Sequence, residues 1–359
     1  MDVLHLRGPV LVGPDDVRPE AWAVGGRLTL TRPAASADAV LDGWVLPGLV
    51  DAHCHVGLGP EGAVDAATAE AQATTDRDAG ALLLRDAGSA ADTRWVDDRD
   101  DLPVIVRAGR HLARPRRYLR GYAEEVEPDG LAEAVRRQAA RGDGWVKLVG
   151  DWLDRDLGDL APCWPLDALR AAVAAAHDAG ARVTAHCFSE VALPDLLAAG
   201  LDGVEHATGM GAGTIPALAQ QGVAVVPTLV NIETFPGIAD RAEAKFPVYA
   251  AHMRALHAGR RAAVRDAHDA GVRLYAGTDA GGTIAHGRVA DEVAELVRAG
   301  LPPVAAVDAA CWGARAWLGR PGLQEGAPAD LVVCRDDPRR DVRALASPAR
   351  VVLRGRVVA

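Results

Sequence analysis

Lysine is scarce in this chain of 359 residues, which carries Lys147 and Lys245 and otherwise takes its positive charge from arginine. Basic residues number 39 against 49 acidic ones, and a net charge of −10 argues against a nucleic-acid partner, because phosphate binding needs a basic face. No uninterrupted apolar run reaches the length of a membrane span. The start of the chain lacks the basic and apolar regions of a signal peptide. The five cysteines form no Cys-x-x-Cys pair, which favours reduced thiols in a cytoplasmic protein over a disulfide framework.

The middle of the chain alternates strand-like and helix-like stretches. Eight apolar stretches predict strands, at 49–53, 81–85, 103–107, 145–149, 182–186, 203–205, 223–227 and 272–276. The clearest helices between them are at 167–178, 191–199 and 252–269, and each is followed by Ala-Gly or ends there, where glycine supplies a left-handed cap. Eight strands, most of them followed by a helix, predict an α/β fold of the (β/α)8 TIM-barrel type. A doubly wound sheet is the competing fold, but this sequence lacks the Gly-x-Gly-x-x-Gly signature that such a fold carries after its first strand.

Both ends of the chain are rich in short strand-like stretches without helical periodicity. Such ends around a long α/β middle predict one small β-sandwich domain assembled from the two termini. The expected boundaries are residues 1–46 and 321–359 for the small domain and 47–320 for the barrel.

Two histidines follow the first predicted strand of the barrel. His53 and His55 are spaced i, i+2, so their side chains point to the same side of a strand end, as two ligands of one metal require. The segment alone equally allows two polar residues where a strand meets a loop.

Further polar residues occupy the ends of other predicted strands. They are Lys147, His186, His206 and Asp279. Taken singly, the histidines could be satisfied at the edge of the core, the aspartate could cap a helix, and the lysine could reach the surface. In a barrel these strand ends meet at one rim, which is where TIM barrels carry their function. A lysine inside an apolar strand needs a partner there.

The ordered combination of these segments resembles the amidohydrolase superfamily of metal-dependent hydrolases, in its imidazolonepropionase-like and cytosolic-prolidase-like branch. The matching segments are 47–55, 145–148, 183–186, 204–206, 276–281 and the tail 322–333. The resemblance covers essentially the whole chain and implies a hydrolase of carbon–nitrogen bonds acting on a small molecule.

The resemblance also implies a centre of two divalent metal ions, with zinc the favoured metal. His53, His55 and Asp279 would bind the first ion, and His186 and His206 the second. Lys147, carboxylated by carbon dioxide, would bridge them, a role that arginine cannot take because it stays protonated. A water between the ions would attack the scissile carbonyl, and Asp279 would carry its proton to the leaving group.

Substrate contacts are predicted in the loops that follow the strands. The loop 110–121 carries five arginines, which indicate either a solvated lid or contact with an anionic substrate group. Six residues are the candidates: Arg114, Arg116, Arg117, Tyr118, Thr228 and His286.

Two alternative functions stay open on the sequence alone. The same scaffold could serve a deaminase or a lactone, cyclic-imide or carbamate hydrolase, although Lys147 weighs against a deaminase. A metal-stabilised binding protein without activity is the alternative from another class. A homo-oligomer is compatible with the family resemblance.

Overall fold

A computed structural model gives the fold and describes residues 2–359. Its strands are numbered in chain order. The first five are β1 (Val3–Leu11), β2 (Val17–Val24), β3 (Arg27–Thr29), β4 (Ala39–Asp42) and β5 (Trp44–Pro47). The next fourteen are β6 (Leu49–Cys54), β7 (Leu58–Gly59), β8 (Gly62–Ala63), β9 (Ala81–Asp86), β10 (Val104–Arg107), β11 (Leu112–Ala113), β12 (Glu124–Glu125), β13 (Trp145–Val149), β14 (Asp151–Asp154), β15 (Asp159–Pro162), β16 (Arg182–Cys187), β17 (Gly203–His206), β18 (Ala224–Val226) and β19 (Arg273–Leu274). The last three are β20 (Leu331–Cys334), β21 (Arg350–Leu353) and β22 (Arg356–Val357).

The helices lie mostly between the strands of the middle segment. They are α1 (Ala66–Asp78), α2 (Leu131–Arg141), α3 (Leu166–Asp178), α4 (Leu193–Ala199), α5 (Ile215–Gln221), α6 (Leu229–Ile232), α7 (Phe235–Ala242), α8 (Pro247–Asp269), α9 (Val289–Ala299), α10 (Pro303–Ala309) and α11 (Trp312–Trp317). Gly200 ends α4 in the left-handed conformation, as its Ala-Gly sequence predicts. Within residues 2–359, no helix has both the length and the apolar character needed to cross a bilayer.

Parallel pairing connects the strands of the middle segment in chain order. β6, β9 and β10 form one parallel set, and β13, β16, β17, β18 and β19 form another. The residues after β19 return to β6, because the amide of Ala52 donates to the carbonyl of Ala276 at 2.8 Å and Cys54 bridges Ala280 in parallel. These strands are nearly continuous apolar runs, as expected when helices cover a parallel sheet. The arrangement is α/β and of the TIM-barrel type.

The eighth predicted strand is much shorter than its sequence indicates. Regular pairing is restricted to β19, and the chain then runs through Tyr275–Asp279 without regular strand structure. Its amides bond instead to strand ends: those of Thr278 and Asp279 donate to the carbonyl of His53. The short strand therefore leads directly into the rim.

Strands from the two ends of the chain pair in one eight-stranded sheet. Its order is β22-β21-β20-β5-β1-β2-β3, with β4 paired to β1. β20 lies between β5 and β21, so a C-terminal strand completes an N-terminal sheet. Hydrogen bonds connect all eight strands, and the division into two facing sheets of a sandwich stays a prediction. The predicted domain boundaries stay a prediction, and Met1, the first residue of the first segment, lies outside the described residues.

Candidate metal centre

The parallel register of the strands brings the predicted ligand residues to one rim. Val149 at the end of β13 pairs with His186 of β16, and Cys187 pairs with His206 of β17. The bridge between Cys54 and Ala280 places the end of β6 beside the segment that carries the predicted aspartate. Neighbouring strands thus end at the same level, as a barrel rim requires.

Three predicted ligand atoms meet at the centre of this rim. The Nε2 atoms of His53 and His55 are 3.2 Å apart, and each lies 3.0 Å from Oδ1 of Asp279. Ligand atoms of His53, His206 and Asp279 all lie within 4.8 Å of one another. His53 and His55 are almost completely buried. Converging nitrogen and carboxylate atoms form a donor set that suits a divalent transition metal.

Buried acceptors bind the Nδ1 atoms of His53 and His55. Nδ1 of His53 lies 2.8 Å from Oε2 of Glu205, and Nδ1 of His55 lies 2.6 Å from the carbonyl of Gly88. Such acceptors place the ring proton on Nδ1 and leave Nε2 free as a metal ligand.

Thr228 binds Nδ1 of His206 in the same way. Its Oγ1 lies 2.7 Å from Nδ1 of His206, and the threonine is fully buried. The structure therefore places Thr228 behind a predicted ligand, and it is not among the residues that line the cavity described below. The sequence-based expectation that it contacts substrate is not supported by this position.

His186 is the predicted ligand that has no partner for either ring nitrogen. Within residues 2–359, both of its nitrogens are buried without a hydrogen bond. Its ring lies 4.7 Å from that of His206, measured between centroids. Buried polar atoms without partners are costly. A metal ion fits as the missing partner of one of these nitrogens, while Oδ1 of the buried Asp151 lies 3.7 Å from Nε2.

Lys147 is buried to the same degree as the histidines, with 1% of its surface exposed. Burial lowers its pKa to about 8, against the opposing charges of Glu205 and Asp279. A substantial fraction of the amine is therefore neutral near physiological pH. Only the neutral amine can react with carbon dioxide, so the environment of Lys147 suits carboxylation.

Asp279 is held as an anion. Burial alone would raise its pKa, but the interactions with His53 and His55 outweigh that effect and keep the pKa well below its usual range. Its Oδ2 accepts a hydrogen bond of 2.7 Å from Nδ2 of Asn231. One oxygen of Asp279 thus faces the histidines while the other is oriented by Asn231.

The backbone at the rim adopts a conformation that is rare for residues other than glycine. His206, Ala207, Thr228 and Asp279 all have left-handed φ angles, between 46° and 66°. Such conformations persist only where the surroundings enforce them, and they cluster at functional sites. They turn the chain sharply at the end of β17, after β18 and in the segment after β19.

A cavity of about 320 Å³ opens next to this centre. His55, His186 and Asp279 form part of its lining, and Tyr118 is the one predicted substrate-contacting residue among its walls. The ring of Tyr118 lies 5.7 Å from that of His186, between centroids. The burial of Tyr118 raises the pKa of its hydroxyl strongly, so this side chain stays neutral.

The three arginines predicted to contact substrate, Arg114, Arg116 and Arg117, do not line the cavity. Arg117 is instead a structural residue, since its guanidinium pairs with Asp154 at 2.8 Å and donates to the carbonyls of Trp152 and Ala161. Arg116 is exposed. The expectation that Arg114, Arg116 or Arg117 binds a substrate carboxylate is not supported by these positions.

His286 is also outside the cavity lining. Its Nδ1 lies 2.7 Å from Oδ2 of Asp76, and the other oxygen of Asp76 accepts from the amide of Gly287 at 2.7 Å. The structure thus places His286 where it fastens the loop after Asp279 to α1, so its predicted contact with substrate is not supported.

Sequence reasoning missed three residues beside the centre. Asn231 and Glu205 contact predicted ligands, and the ring of His111 stacks on that of His55 with centroids 5.0 Å apart. Glu205 precedes His206 directly, and this adjacency is the one sequence signal that could have identified it. The sequence around Asn231 and His111 has no periodicity that predicts the direction of either side chain.

The sequence model of the Amidohydrolase family matches residues 44–358.

Individual proteins are similar over most of the chain. An uncharacterized protein of Mycobacterium tuberculosis is 58% identical over 355 residues, which are 98% of this chain and 95% of that protein. The ochratoxinase of Aspergillus niger is 27% identical over 234 residues, 62% of this chain and 48% of that enzyme.

Solved structures match nearly the whole fold. A putative prolidase from Bifidobacterium longum has a TM-score of 0.82 and 25% identity, over 99% of this chain and 94% of that one. The ochratoxinase structure has a TM-score of 0.80 and 20% identity, over 99% of this chain and 95% of that one.

Proposed function

Because the chain belongs to the Amidohydrolase family and is a hydrolase of carbon–nitrogen bonds, we propose that it cleaves an amide of a small molecule at a binuclear metal centre. This centre would lie at the rim of a closed (β/α)8 barrel. The observation that carries it is the convergence of ligand atoms from His53, His55, His206 and Asp279.

Three groups of residues would hold the metal. His53, His55 and Asp279 would bind the first ion, and His186 with His206 the second. Lys147, carboxylated on Nζ, would contribute an anionic oxygen ligand to both. The lowered pKa of Lys147 and the unpartnered nitrogens of His186 support this division.

When bound, the two ions would lower the pKa of a water molecule and polarise the scissile carbonyl. The chain's own residues supply the proton transfer. Asp279 is an anion at neutral pH and can accept the proton of the attacking water. The hydrogen bond from Asn231 fixes the carboxylate of Asp279, which can then return the proton to the leaving nitrogen.

Elemental analysis of protein prepared with zinc and bicarbonate tests the centre. About two zinc ions per chain are expected, falling to one or fewer in Lys147→Ala. Lys245→Ala is the matched control, since Lys245 is the other lysine and is exposed. One ion that is indifferent to Lys147 would overturn the bridge, and no zinc at all would overturn the proposal.

Turnover of Asp279→Asn tests the proton transfer. The amide keeps the size and part of the ligand capacity of Asp279 but cannot accept a proton. We expect kcat to fall by several orders of magnitude while part of the metal is retained. Near-normal kcat would contradict the assignment.

The first substrates to test are dipeptides, N-acyl amino acids and cyclic amides. The similarity in fold to a putative prolidase supports the inclusion of dipeptides. Hydrolysis of a lactone or carbamate, or deamination, by the same protein would change the assigned substrate class but keep the attack of a metal-activated water.

We further propose that the protein works in the cytoplasm. Its five cysteines are all buried free thiols, which suits a reducing compartment. Self-association stays a prediction.

A further inference from the structure

A carboxyl group interrupts the apolar, buried face of α9. Val289, Val293 and Leu296 lie on this face, and Glu292 joins them because the spacing i, i+3, i+4, i+7 puts all four on one side of the helix. Glu292 is fully buried, and burial raises its pKa to about 8. Such a position is unfavourable for a carboxyl group unless hydrogen-bond donors surround it.

The donors are two backbone amides in the first turn of α6. Oε1 of Glu292 accepts from the amide of Leu229 and Oε2 accepts from the amide of Val230, each at 2.8 Å. The first amides of a helix have no partner within the helix itself. Glu292 therefore satisfies two of them at once and fastens this turn to α9.

Thr228 directly precedes the turn but does not cap it. A threonine in this position usually accepts a hydrogen bond from a free amide of the first turn through its hydroxyl. Thr228 makes no such bond, and its Oγ1 lies 2.7 Å from Nδ1 of His206 instead. Its φ of 46° is left-handed, a conformation that persists only where the surroundings enforce it. The hydroxyl is free for the histidine because Glu292 binds the amides in its place.

The same turn also contacts the other side of the metal centre. Nδ2 of Asn231 donates to Oδ2 of Asp279 at 2.7 Å. The turn thus carries one contact to His206 and one to Asp279, which are predicted ligands of different ions. Glu292 itself contacts neither ligand and does not line the cavity.

We propose that Glu292 is a positioning residue of the metal centre, which holds the first turn of α6 so that Thr228 orients His206 and Asn231 orients Asp279. This inference rests on the proposed function for the roles of these two ligands. Without the two amide bonds the turn is free to shift, and both contacts change together. Loss of Glu292 should therefore weaken metal binding and slow proton transfer while contacts with substrate stay the same.

Glu292→Gln tests the proposal on the full-length protein. The glutamine keeps the size of the side chain, but its nitrogen cannot accept a hydrogen bond, so one of the two backbone amides loses its partner. We expect the Kd for zinc to rise about tenfold, the lower end of the effect of groups that orient metal-bound histidines. On any substrate that the wild type hydrolyses, kcat should fall and KM should stay unchanged.

Glu295→Gln is the matched control for this substitution. Glu295 lies on the same helix and is also buried, but its partners are Arg261 and Arg298 rather than the turn of α6. Neither the Kd for zinc nor kcat should change in this variant, and equal effects in both variants would overturn the proposal. If circular dichroism shows that Glu292→Gln does not fold, Glu292→Asp is measured in its place, because its shorter side chain moves the carboxylate away from the amides.

A double-mutant cycle tests whether Glu292 acts through Thr228. Thr228→Val removes the hydroxyl and keeps the size of the side chain. We expect the Kd for zinc in the double variant to rise by clearly less than the product of the two single effects, because the second substitution acts on a contact that is already lost. Effects that simply multiply would show two independent contributions and would contradict the proposed route.

Nitrogen-15 NMR of the metal-free protein, labelled in histidine, separates this inference from the proposed function. The signal that shifts in Thr228→Val identifies His206, since Thr228 binds its Nδ1. We expect the same signal to shift in Glu292→Gln and to stay in place in Glu295→Gln. If it does so in a protein that binds no zinc or hydrolyses no amide, the proposed function is wrong and the positioning of His206 by Glu292 holds. An unchanged signal in Glu292→Gln would overturn the inference, whatever the protein binds or hydrolyses.

Discussion

At the scale of single residues, the centre depends on side chains outside the predicted ligand set. Glu205 accepts from His53 and also from Thr184, and its Oε1 lies 2.8 Å from Nη1 of Arg85. The guanidinium of Arg85 lies 4.0 Å from the centre of the Trp145 ring. A buried charge pair beneath the rim thus fixes the orientation of a predicted ligand.

Replacement of this carboxylate should weaken metal binding. In Glu205→Gln the acceptor of His53 loses its charge, and partners of this kind typically contribute about 10–100-fold in metal affinity. We expect the Kd for zinc, measured by competition with a chromogenic chelator, to rise by about that factor.

Thr184→Val serves as the control for this substitution, because it removes a bond to Glu205 but leaves the bond to His53. Its effect on the Kd should be clearly smaller, while circular dichroism checks that both variants fold. An unchanged Kd in Glu205→Gln would show that His53 does not need this partner.

A second effect at this scale concerns pH. Burial lowers the pKa of His286, but the hydrogen bond and charge of Asp76 outweigh it and raise the pKa above its ordinary value of 6.5. A raised folded-state pKa gives stability that is fully present below pH 6.5 and is lost as the pH rises through the folded value. The difference in Tm between wild type and His286→Gln should therefore be larger at about pH 5.5 than at about pH 8.5. The same difference at both values would contradict a charged pair.

At the scale of elements, close packing of the segment after β19 against β6 fixes the geometry of the rim. A Cβ on Gly277 would lie 2.7 Å from the backbone nitrogen of His53 and 2.5 Å from a methyl group of Val226. Glycine is needed here because no side chain fits between the two strands. This contact sets the distance between the first histidine pair and Asp279.

Gly277→Ala should therefore lower both stability and zinc affinity, since β6 has to move. Gly259→Ala is the matched control, because Gly259 lies in α8 with no atom within 4 Å of an added Cβ. That substitution should raise stability by about 0.5–1 kcal/mol through the better helix propensity of alanine. Denaturant unfolding and the Kd for zinc measure both effects, and a neutral Gly277→Ala would show that the rim tolerates displacement.

At the scale of the whole molecule, the predicted ligands come from strands distributed around the barrel, from β6 through β13, β16 and β17 to the segment after β19. Metal would therefore join segments far apart in sequence, such as those of His55 and Asp279, which are separated by 224 residues. Binding to the folded state alone stabilises it by about 2.7 kcal/mol when the free ligand is at about 100 times its Kd.

Removal of metal should accordingly lower the Tm of the entire chain in one cooperative step. Treatment with a chelator is expected to lower the Tm, and zinc should restore it, with a smaller difference in Lys147→Ala. Scanning calorimetry at several zinc concentrations measures the effect. A Tm that is independent of zinc would contradict a metal that cross-links the rim.

The sequence by itself determined the features that depend on local pattern. The apolar runs ending in His53, His186 and His206 predicted both the parallel strands and the side chains at their ends, because period and strand length are local properties. The scarcity of lysine, a property of composition alone, singled out Lys147.

Only the tertiary structure decided which loop side chains face the centre. Arg117 and His286 carry the right chemistry for substrate binding, yet Asp154 and Asp76 bind them elsewhere. The direction of a loop or surface side chain depends on partners distant in sequence, and no local periodicity encodes those partners.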